Sequence, residues 1–261
     1  MDDALARNEA AARRMVIVPV VVVAAVAGVV GVVVAFLVGV PLLAVLWVAV
    51  AVGMYFLGVA SFRKAGPTQA LAATRSRPVS EAEEPRLHNL VEGLCVGIGL
   101  EPPRLRIIED DAPNALAVAR AVDDADLVVT RGLLERLSLV ELEAVLAHEL
   151  ARIRRGDAIV GALAGSVLRT PLYGWIARAV VGRGEPVEAW SDLAAVEITR
   201  YPPALASALE KLAPAPAPPV SPISHLWIHG ARADGAFGQA LVRVYEPAPP
   251  VAQRIEVLEE L

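Results

Sequence analysis

The chain has 261 residues, 56% of them apolar, and a formal net charge of −5 at pH 7. Its length allows one domain with a membrane anchor, and its apolar fraction is too high for an ordinary soluble protein. No basic stripe is interleaved with aromatic side chains, so the composition gives no reason to expect a nucleic-acid partner. The single cysteine, Cys95, cannot form an internal disulfide, and its apolar helical surroundings predict a buried structural thiol.

The N-terminal part of the chain predicts a transmembrane helical hairpin. Residues 1–14 are a charged tail, expected in the cytoplasm, and residues 15–62 contain no charged side chain. One span needs about 20 apolar residues, so this run holds two transmembrane helices with a turn near Pro41. Basic residues flank both ends of the run and not its turn: Arg13, Arg14, Arg63 and Lys64. By the positive-inside rule, the sequence predicts a multi-pass protein of the cell (plasma) membrane whose main domain faces the cytoplasm.

The rest of the chain predicts a domain with a small sheet. Residues 63–84 are a predicted polar linker, residues 85–212 form the domain, and residues 223–261 complete it after a Pro-rich linker at 213–222. A helix with proline in its first turn is predicted at Pro85–Ile98. An alternating strand is predicted at Arg104–Ile108, and two more strands are predicted at 114–121 and 126–130, joined by a turn at 123–125. The expected fold class is therefore α+β and mainly helical, with the transmembrane hairpin first.

An apolar stretch at residues 158–181 is broken by Arg169, Thr170 and Pro171. Each half has about ten residues, which is too short to span a bilayer. A single crossing by the whole stretch would place Arg169 near the middle of the membrane, at a cost of roughly 2.5–3.5 kcal/mol on insertion scales. We therefore expect a membrane-associated helical hairpin that packs on the domain or lies on the membrane surface without crossing it.

The most informative segment is residues 138–157, which predicts one helix. Ser138 and Glu141 have the spacing of a capping box, and Gly156 suits the left-handed position that follows a helix. The helix carries His148 and Glu149, with Arg152 one turn after the histidine. This differs by one residue from H-E-x-x-H, in which two histidines bind one Zn²⁺ and the glutamate activates a metal-bound water.

From about residue 85 to residue 258, the chain resembles the HtpX-like family of membrane zinc metallopeptidases. The resemblance rests on separated motifs that follow the family order: 112–115 (Ala-Pro-Asn-Ala), the helix at 140–157, the E-x-x-x-D pattern within 188–200, residues 206–211 and residues 249–255. The chain departs from the family at two positions. Arg152 stands where the family has its second histidine, and Ala248 stands where relatives usually have a histidine before the Pro-Pro pair.

This resemblance implies a zincin-like domain with zinc as its cofactor. In such a domain His148 and Glu188 bind the metal, and Glu149 is the catalytic base. The resemblance also implies that Asp192 and Asp157 orient the metal-binding groups. The implied partners are the membrane and peptides or misfolded segments of membrane proteins.

The strand that begins near Asn114 has two interpretations. The resemblance implies that residues 114–121 pair with an extended substrate and that Asn114 lies near this substrate-binding strand. An ordinary strand of a small sheet is the alternative. His225 and His229 have a similar ambiguity, because their spacing could bind a metal on a helix, but a packing role is favoured for so short a segment.

Arg152 changes the expected chemistry of the site. A guanidinium group cannot be deprotonated in a protein, so it offers no lone pair to a metal, and its charge repels Zn²⁺. Its planar fork matches a carboxylate well. We therefore expect Arg152 to pair with Glu188 or with Glu149 and to occupy the space of the metal.

Three functions are compatible with this sequence. The first, which we favour, is a membrane-anchored pseudopeptidase that binds peptides or a membrane partner without hydrolysis. The second is an active zinc metalloendopeptidase in membrane-protein quality control, which needs a substitute ligand such as Asp192, His225 or His229, or a weak site with two ligands. The third is a structural membrane scaffold whose peptide groove is filled. Metal content separates the second function from the others, and peptide binding separates the first from the third.

Overall fold

The computed structural model describes residues 2–180, 187–215, 223–230 and 249–261, without the side chains of residues 2, 178–180 and 187–190. The fold is α+β and mainly helical, as predicted. Its helices are α1 (Asp2–Leu37), α2 (Leu42–Thr74), α3 (Pro85–Ile98), α4 (Arg131–Arg136), α5 (Leu139–Arg154), α6 (Asp157–Arg169), α7 (Pro171–Val180), α8 (Val187–Thr199), α9 (Pro202–Leu212) and α10 (Val251–Glu259). Its strands are β1 (Arg77–Pro78), β2 (Arg104–Ile108), β3 (Ala115–Ala121) and β4 (Asp124–Thr130), and a short 3₁₀ turn covers Ser224–Leu226.

Helices α1 and α2 form an apolar hairpin, and both are long and apolar enough to cross a membrane. Their turn contains Gly39, which has a left-handed φ of 77°. The helices approach closely at Gly31, where an added Cβ would lie only 2.2 Å from the ring of Trp47. The glycine therefore allows the large Trp47 ring to pack directly against the backbone of α1.

Both ends of this hairpin are more helical than the sequence predicts. The predicted tail at 1–14 belongs to α1, and α2 continues to Thr74, well into the predicted linker at 63–84. A proline inside a helix costs about 3 kcal/mol, but Gly66 and Pro67 are buried, and Gly66 packs tightly on Ala162 of α6. Packing against the domain therefore keeps this part of the chain helical. The predicted linker at 213–222 is described only as far as residue 215.

The four strands form one sheet in the order β1-β2-β4-β3. Strands β2 and β4 are parallel, and the other two pairs are antiparallel. The predicted turn at 123–125 is wrong, because β4 already begins at Asp124 and the turn consists of Val122 and Asp123. Strand β1 is not predicted by the sequence, because it has only two residues and lies in the predicted linker.

Consecutive side chains of β3 and β4 are buried. Since successive side chains of a strand point to opposite sides, the sheet is covered on both faces there. On one face, Ala117 of β3 and Leu127 of β4 belong to the main core with the apolar residues of α3 and α5. On the other face, Leu116 and Val118 of β3 pack with residues from α2, α6 and the 3₁₀ turn. The central helix α5 and the apolar helix α6 therefore lie on opposite faces of β3.

The stretch predicted as a membrane-associated hairpin forms two short helices, α6 with 13 residues and α7 with 10. Helix α6 is almost entirely buried, and it packs on α1, α2 and β3. Helix α7 exposes Leu172 and Trp175. A bilayer span needs about 20 residues, and both helices are shorter than that. Attachment of α7 to the membrane surface stays a prediction.

Candidate functional site

Helix α5 holds the candidate site and is fixed at both ends. The predicted capping box is present, since Ser138 and Glu141 each bond to the backbone of the other. Glu141 also accepts hydrogen bonds from Ser207 and Lys211 of α9. Burial raises the pKa of Glu141, but the bonds from Lys211, Ser207 and Ser138 outweigh burial and bring the pKa to about 2. Gly156 has the predicted left-handed conformation, with a φ of 78°, and it turns the chain into α6.

Three chemically important side chains of α5 lie deep in the domain. His148, Glu149 and Arg152 each have 0% of their surface exposed. Fully buried charges are rare unless they are paired. The partners of these side chains therefore determine what the site can do.

Arg152 binds to groups of its own chain. Its guanidinium lies 3.1 Å from Glu149 Oε2, so the predicted ion pair with Glu149 is present. The same nitrogen donates a hydrogen bond of 2.5 Å to the backbone carbonyl of Leu226. Arg152 thus links the glutamate of the H-E-x-x-R motif to Leu226, the last residue of the 3₁₀ turn.

His148 is the first member of a second polar chain. Its Nδ1 lies 3.0 Å from Asp192 Oδ1 of α8. Arg254 of α10 donates two hydrogen bonds of 2.7 Å to the Asp192 carboxylate and a third, of 2.9 Å, to the carbonyl of Ile228. A carboxylate behind an imidazole fixes the orientation of the ring, which is the usual arrangement for a histidine that binds a metal.

The charge of Asp192 is stabilised by these partners. Burial raises the pKa of Asp192, but the charge of Arg254 and the hydrogen bond from His148 outweigh burial and bring the pKa to about 2. Asp192 therefore stays ionised over the whole physiological pH range. The sequence predicts Asp192 beside the metal-binding groups, and the structure adds Arg254 as its second partner.

Asp157 and Glu188 were the other acids expected at the site. Asp157 is buried at the start of α6, where it bonds to Asn8 of α1, to Arg155, and to Ser191 of α8 at 3.4 Å. It therefore connects the apolar hairpin of α1 and α2 to two helices of the domain. Glu188 lies on α8, one turn before Asp192, and its side chain is outside the described residues.

Asn114 binds a segment of its own chain, residues 226–229, here called the inner segment. The Asn114 side chain donates a hydrogen bond of 2.7 Å to the carbonyl of His229 and accepts one of 3.2 Å from the His229 N–H. The inner segment runs antiparallel to β3 at a bridge between Leu116 and Trp227. It therefore covers part of the free edge of β3, where the family resemblance implies that a substrate binds.

The two histidines near the inner segment do not form a metal-binding pair on a helix. His225 Nε2 lies 2.8 Å from the carbonyl of Gly161 on α6. His229 follows the 3₁₀ turn, and burial lowers its pKa. Cys95 is buried in α3, as predicted, and burial raises its thiol pKa to about 11, so it stays protonated.

The chain is similar to known membrane peptidases of one family. The sequence model of Peptidase family M48 matches residues 81–190. A protein named "Protease HtpX homolog" from Kineococcus radiotolerans is 32% identical over 261 aligned positions, which cover 83% of this chain and 86% of the relative. The chain belongs to the HtpX-like branch of peptidase family M48.

Other HtpX homologues are similar over different parts of the chain. The Tropheryma whipplei protein is 31% identical and covers 74% of this chain and 78% of its own. The Pelotomaculum thermopropionicum protein is 46% identical over 97 residues, which are 37% of this chain and 34% of the relative. No solved structure matches the chain significantly. The resemblance inferred from the motifs is thus confirmed at the level of the family.

The described side chains do not fit the zinc site of an M48 peptidase. The family is generally zinc-dependent, and a catalytic zinc takes three protein ligands and one open position. One turn after His148, this chain has a guanidinium that is fully buried and bound to Glu149 and Leu226. Within the described ranges, no group of three or more His, Cys, Asp or Glu side chains lies close enough to hold a metal.

Proposed function

We propose that this HtpX-like protein is a membrane-anchored pseudopeptidase, which binds peptides or a membrane partner without hydrolysing them. The observation that carries the proposal is the buried ion pair between Arg152 and Glu149. The hairpin of α1 and α2 anchors the protein in the cell membrane, with the peptidase-like domain on the cytoplasmic side.

The ion pair removes two requirements of hydrolysis together. Arg152 supplies a fixed positive charge where a zinc peptidase needs a neutral imidazole, and a guanidinium cannot bind a metal. The carboxylate of Glu149, which a zinc peptidase uses to take a proton from water, instead accepts a hydrogen bond from Arg152. A metal and a free base would both require Arg152 to move.

The surroundings of the pair resist such a movement. Arg152 has 0% of its surface exposed and is also bonded to Leu226 of the inner segment. Taking a guanidinium out of this site would leave Glu149 buried without this partner and would break a charged hydrogen bond. Each of these changes costs about 1.5–3 kcal/mol or more. The pair is therefore a stable replacement for the metal and not a transient contact.

A structural scaffold is the second candidate, and the inner segment favours it. Because residues 226–229 cover part of the edge of β3, a peptide must displace them or bind at another surface. An active zinc metalloendopeptidase with a substitute ligand is the third candidate. The position of Asp192 behind His148 is compatible with it, since this arrangement would orient a metal-binding histidine.

Zinc content of the purified protein tests the proposal. The full chain, Arg152→His and Arg154→His are purified in detergent, and zinc is measured by elemental analysis. Arg154→His is the matched control because it adds a histidine to the same helix at a position that is not one turn from His148. We expect no zinc in the native chain or in Arg154→His and about one zinc per chain in Arg152→His, which restores the H-E-x-x-H pattern.

Two further measurements distinguish the three functions. Zinc in the native chain, together with cleavage of casein that Glu149→Gln abolishes, would show an active peptidase and refute the proposal. Binding of labelled casein by the zinc-free native protein supports the pseudopeptidase. Absence of casein binding in the native chain and in Arg152→His supports the scaffold.

A further inference from the structure

A cavity of about 360 Å³ lies where the membrane hairpin meets the domain. Helices α1, α2 and α6 and the end of β3 form its walls. None of its lining residues belongs to α5, so it is not part of the site around the ion pair. The cavity therefore has to be explained independently of the peptidase-like site.

The walls of the cavity combine positive charge with apolar surface. Arg13 of α1, Arg63 of α2 and Arg120 of β3 supply three guanidinium groups, and Glu9 supplies one carboxylate. The apolar part includes Val16 of α1, Val59 of α2 and Leu163 of α6. A ligand for this cavity needs an anionic group such as a phosphate, which guanidinium groups bind well, and an apolar part beside it.

The three arginines differ in how far they are already neutralised. Arg13 lies 3.1 Å from Glu9, but both side chains are exposed, and such pairs contribute little. Arg120 is paired with Asp124 and Asp126 of β4. Among the described residues, Arg63 makes no ion pair. The cavity thus keeps an excess of positive charge, which is greatest on the two membrane helices.

The position of the cavity along the helices indicates where its ligand comes from. Residues 15–62 carry no charge, and Arg13 and Arg63 lie just outside the two ends of that run. The boundary between charged and apolar residues marks the level of the lipid headgroups. Val16 and Val59 lie on the apolar side of this boundary, and Arg13 and Arg63 lie on the headgroup side.

We propose that this cavity binds an anionic phospholipid of the phosphatidylglycerol type. The phosphate lies between Arg13, Arg63 and Arg120, and the first part of an acyl chain follows Val16 and Val59. Basic pockets between membrane helices are known to suit lipid headgroups. A free phosphate ion would use the guanidinium groups but not the apolar wall, and for this reason we assign the cavity to a lipid. The assignment requires membrane insertion of the hairpin, and it does not depend on whether the protein is a peptidase.

The experiment measures retained lipid by native mass spectrometry. The full chain is reconstituted in nanodiscs of phosphatidylcholine with phosphatidylglycerol and is then released into mild detergent. The test variant is Arg13→Gln/Arg63→Gln. The matched control is Arg14→Gln/Lys64→Gln, which removes the same charge from the same two helices at the same depth, at positions that do not line the cavity. Arg120 is left unchanged because it also pairs with Asp124 and Asp126.

We expect the control to retain somewhat less phosphatidylglycerol than the native chain, because it loses surface attraction. The test variant should retain at least roughly 10-fold less than the control, because it also loses direct hydrogen bonds to the phosphate. Equal loss in both variants would show diffuse surface attraction and overturn the site, as would retention by both. Equal retention of phosphatidylcholine by the native chain would overturn the requirement for an anionic lipid. Displacement of the lipid by millimolar inorganic phosphate would assign the cavity to a free anion. Thermal unfolding of both variants should match the native chain, since the four substituted side chains are exposed.

Discussion

Replacing Arg152 with methionine tests whether the buried ion pair holds the centre of the domain together. Methionine has a similar length but no charge, so it removes the bonds to Glu149 Oε2 and to the Leu226 carbonyl. Breaking a buried pair by removing one partner costs about 3–5 kcal/mol, because the remaining charge stays buried. In a chain of this length 1 kcal/mol corresponds to roughly 2–4 °C, so the unfolding midpoint should fall by roughly 6–20 °C.

A double-mutant cycle separates the ion pair from simple loss of packing. Glu149→Leu should also destabilise the protein, because it leaves the guanidinium of Arg152 buried without this partner. The double variant Arg152→Met/Glu149→Leu replaces both charges by apolar groups, and such replacements are often neutral or stabilising. We therefore expect the double variant to be more stable than either single variant, with a coupling energy of more than about 2 kcal/mol.

The assay is thermal unfolding in detergent, followed by tryptophan fluorescence. Trp227 is a suitable reporter, because it is only 8% exposed and adjoins Leu226. The control is Arg77→Met, which breaks an exposed pair with Glu83 and should change the midpoint far less. Additive losses in the cycle, with a coupling below about 0.5 kcal/mol, would refute a direct ion pair between Arg152 and Glu149.

Two other predictions concern the groups around the pair. Because the folded state lowers the pKa of Asp192 to about 2 from the ordinary 3.8, its stabilising effect of about 2 kcal/mol is complete only above about pH 5 and is lost as the pH falls through the folded pKa. Unfolding midpoints measured across that range should fall less steeply in Asp192→Asn than in the native chain; equal slopes would contradict the assignment. Asn114→Ala removes two hydrogen bonds to His229 and should free the inner segment, at a cost of about 1–3 kcal/mol. The emission of Trp227 should then move to longer wavelength, and an unchanged spectrum would show that other contacts hold the segment.

Local sequence signals predicted the parts of the fold that depend on neighbours along the chain. The strand at Arg104–Ile108 and the helix at Pro85–Ile98 have the predicted bounds, because alternation and a first-turn proline are local features. The helical tail of α1 and the extension of α2 were not predicted, because they depend on packing against α6. No pattern within residues 63–84 indicates that Gly66 packs on Ala162, which lies almost 100 residues further along the chain.

In the candidate site, too, the contact within one helix could be predicted from the sequence, and the contacts between elements could not. The Arg152–Glu149 pair followed from the chemistry of a guanidinium three residues from a carboxylate on one helix. The partners of Asp192 and Arg152 on other elements were not predictable in this way. Arg254 is 62 residues from Asp192 in sequence, and the carbonyl of Leu226 carries no side-chain signal at all. Backbone carbonyls that accept hydrogen bonds from distant side chains can be identified only when the fold is known.

The arrangement of His148, Asp192 and Arg254 shows why the remaining family residues do not by themselves indicate hydrolysis. Arg254 ties α10 to α8 through Asp192 and to the inner segment through the carbonyl of Ile228. Removing Asp192 would leave a buried guanidinium without its carboxylate, so the fold needs this residue with or without a metal. The same holds for Asp157, which connects α1 to α8. Arg152 is different, because no structural requirement of a zinc peptidase calls for a cation one turn after the first histidine. The identity of that one side chain therefore carries more information about activity than the presence of the other motif residues.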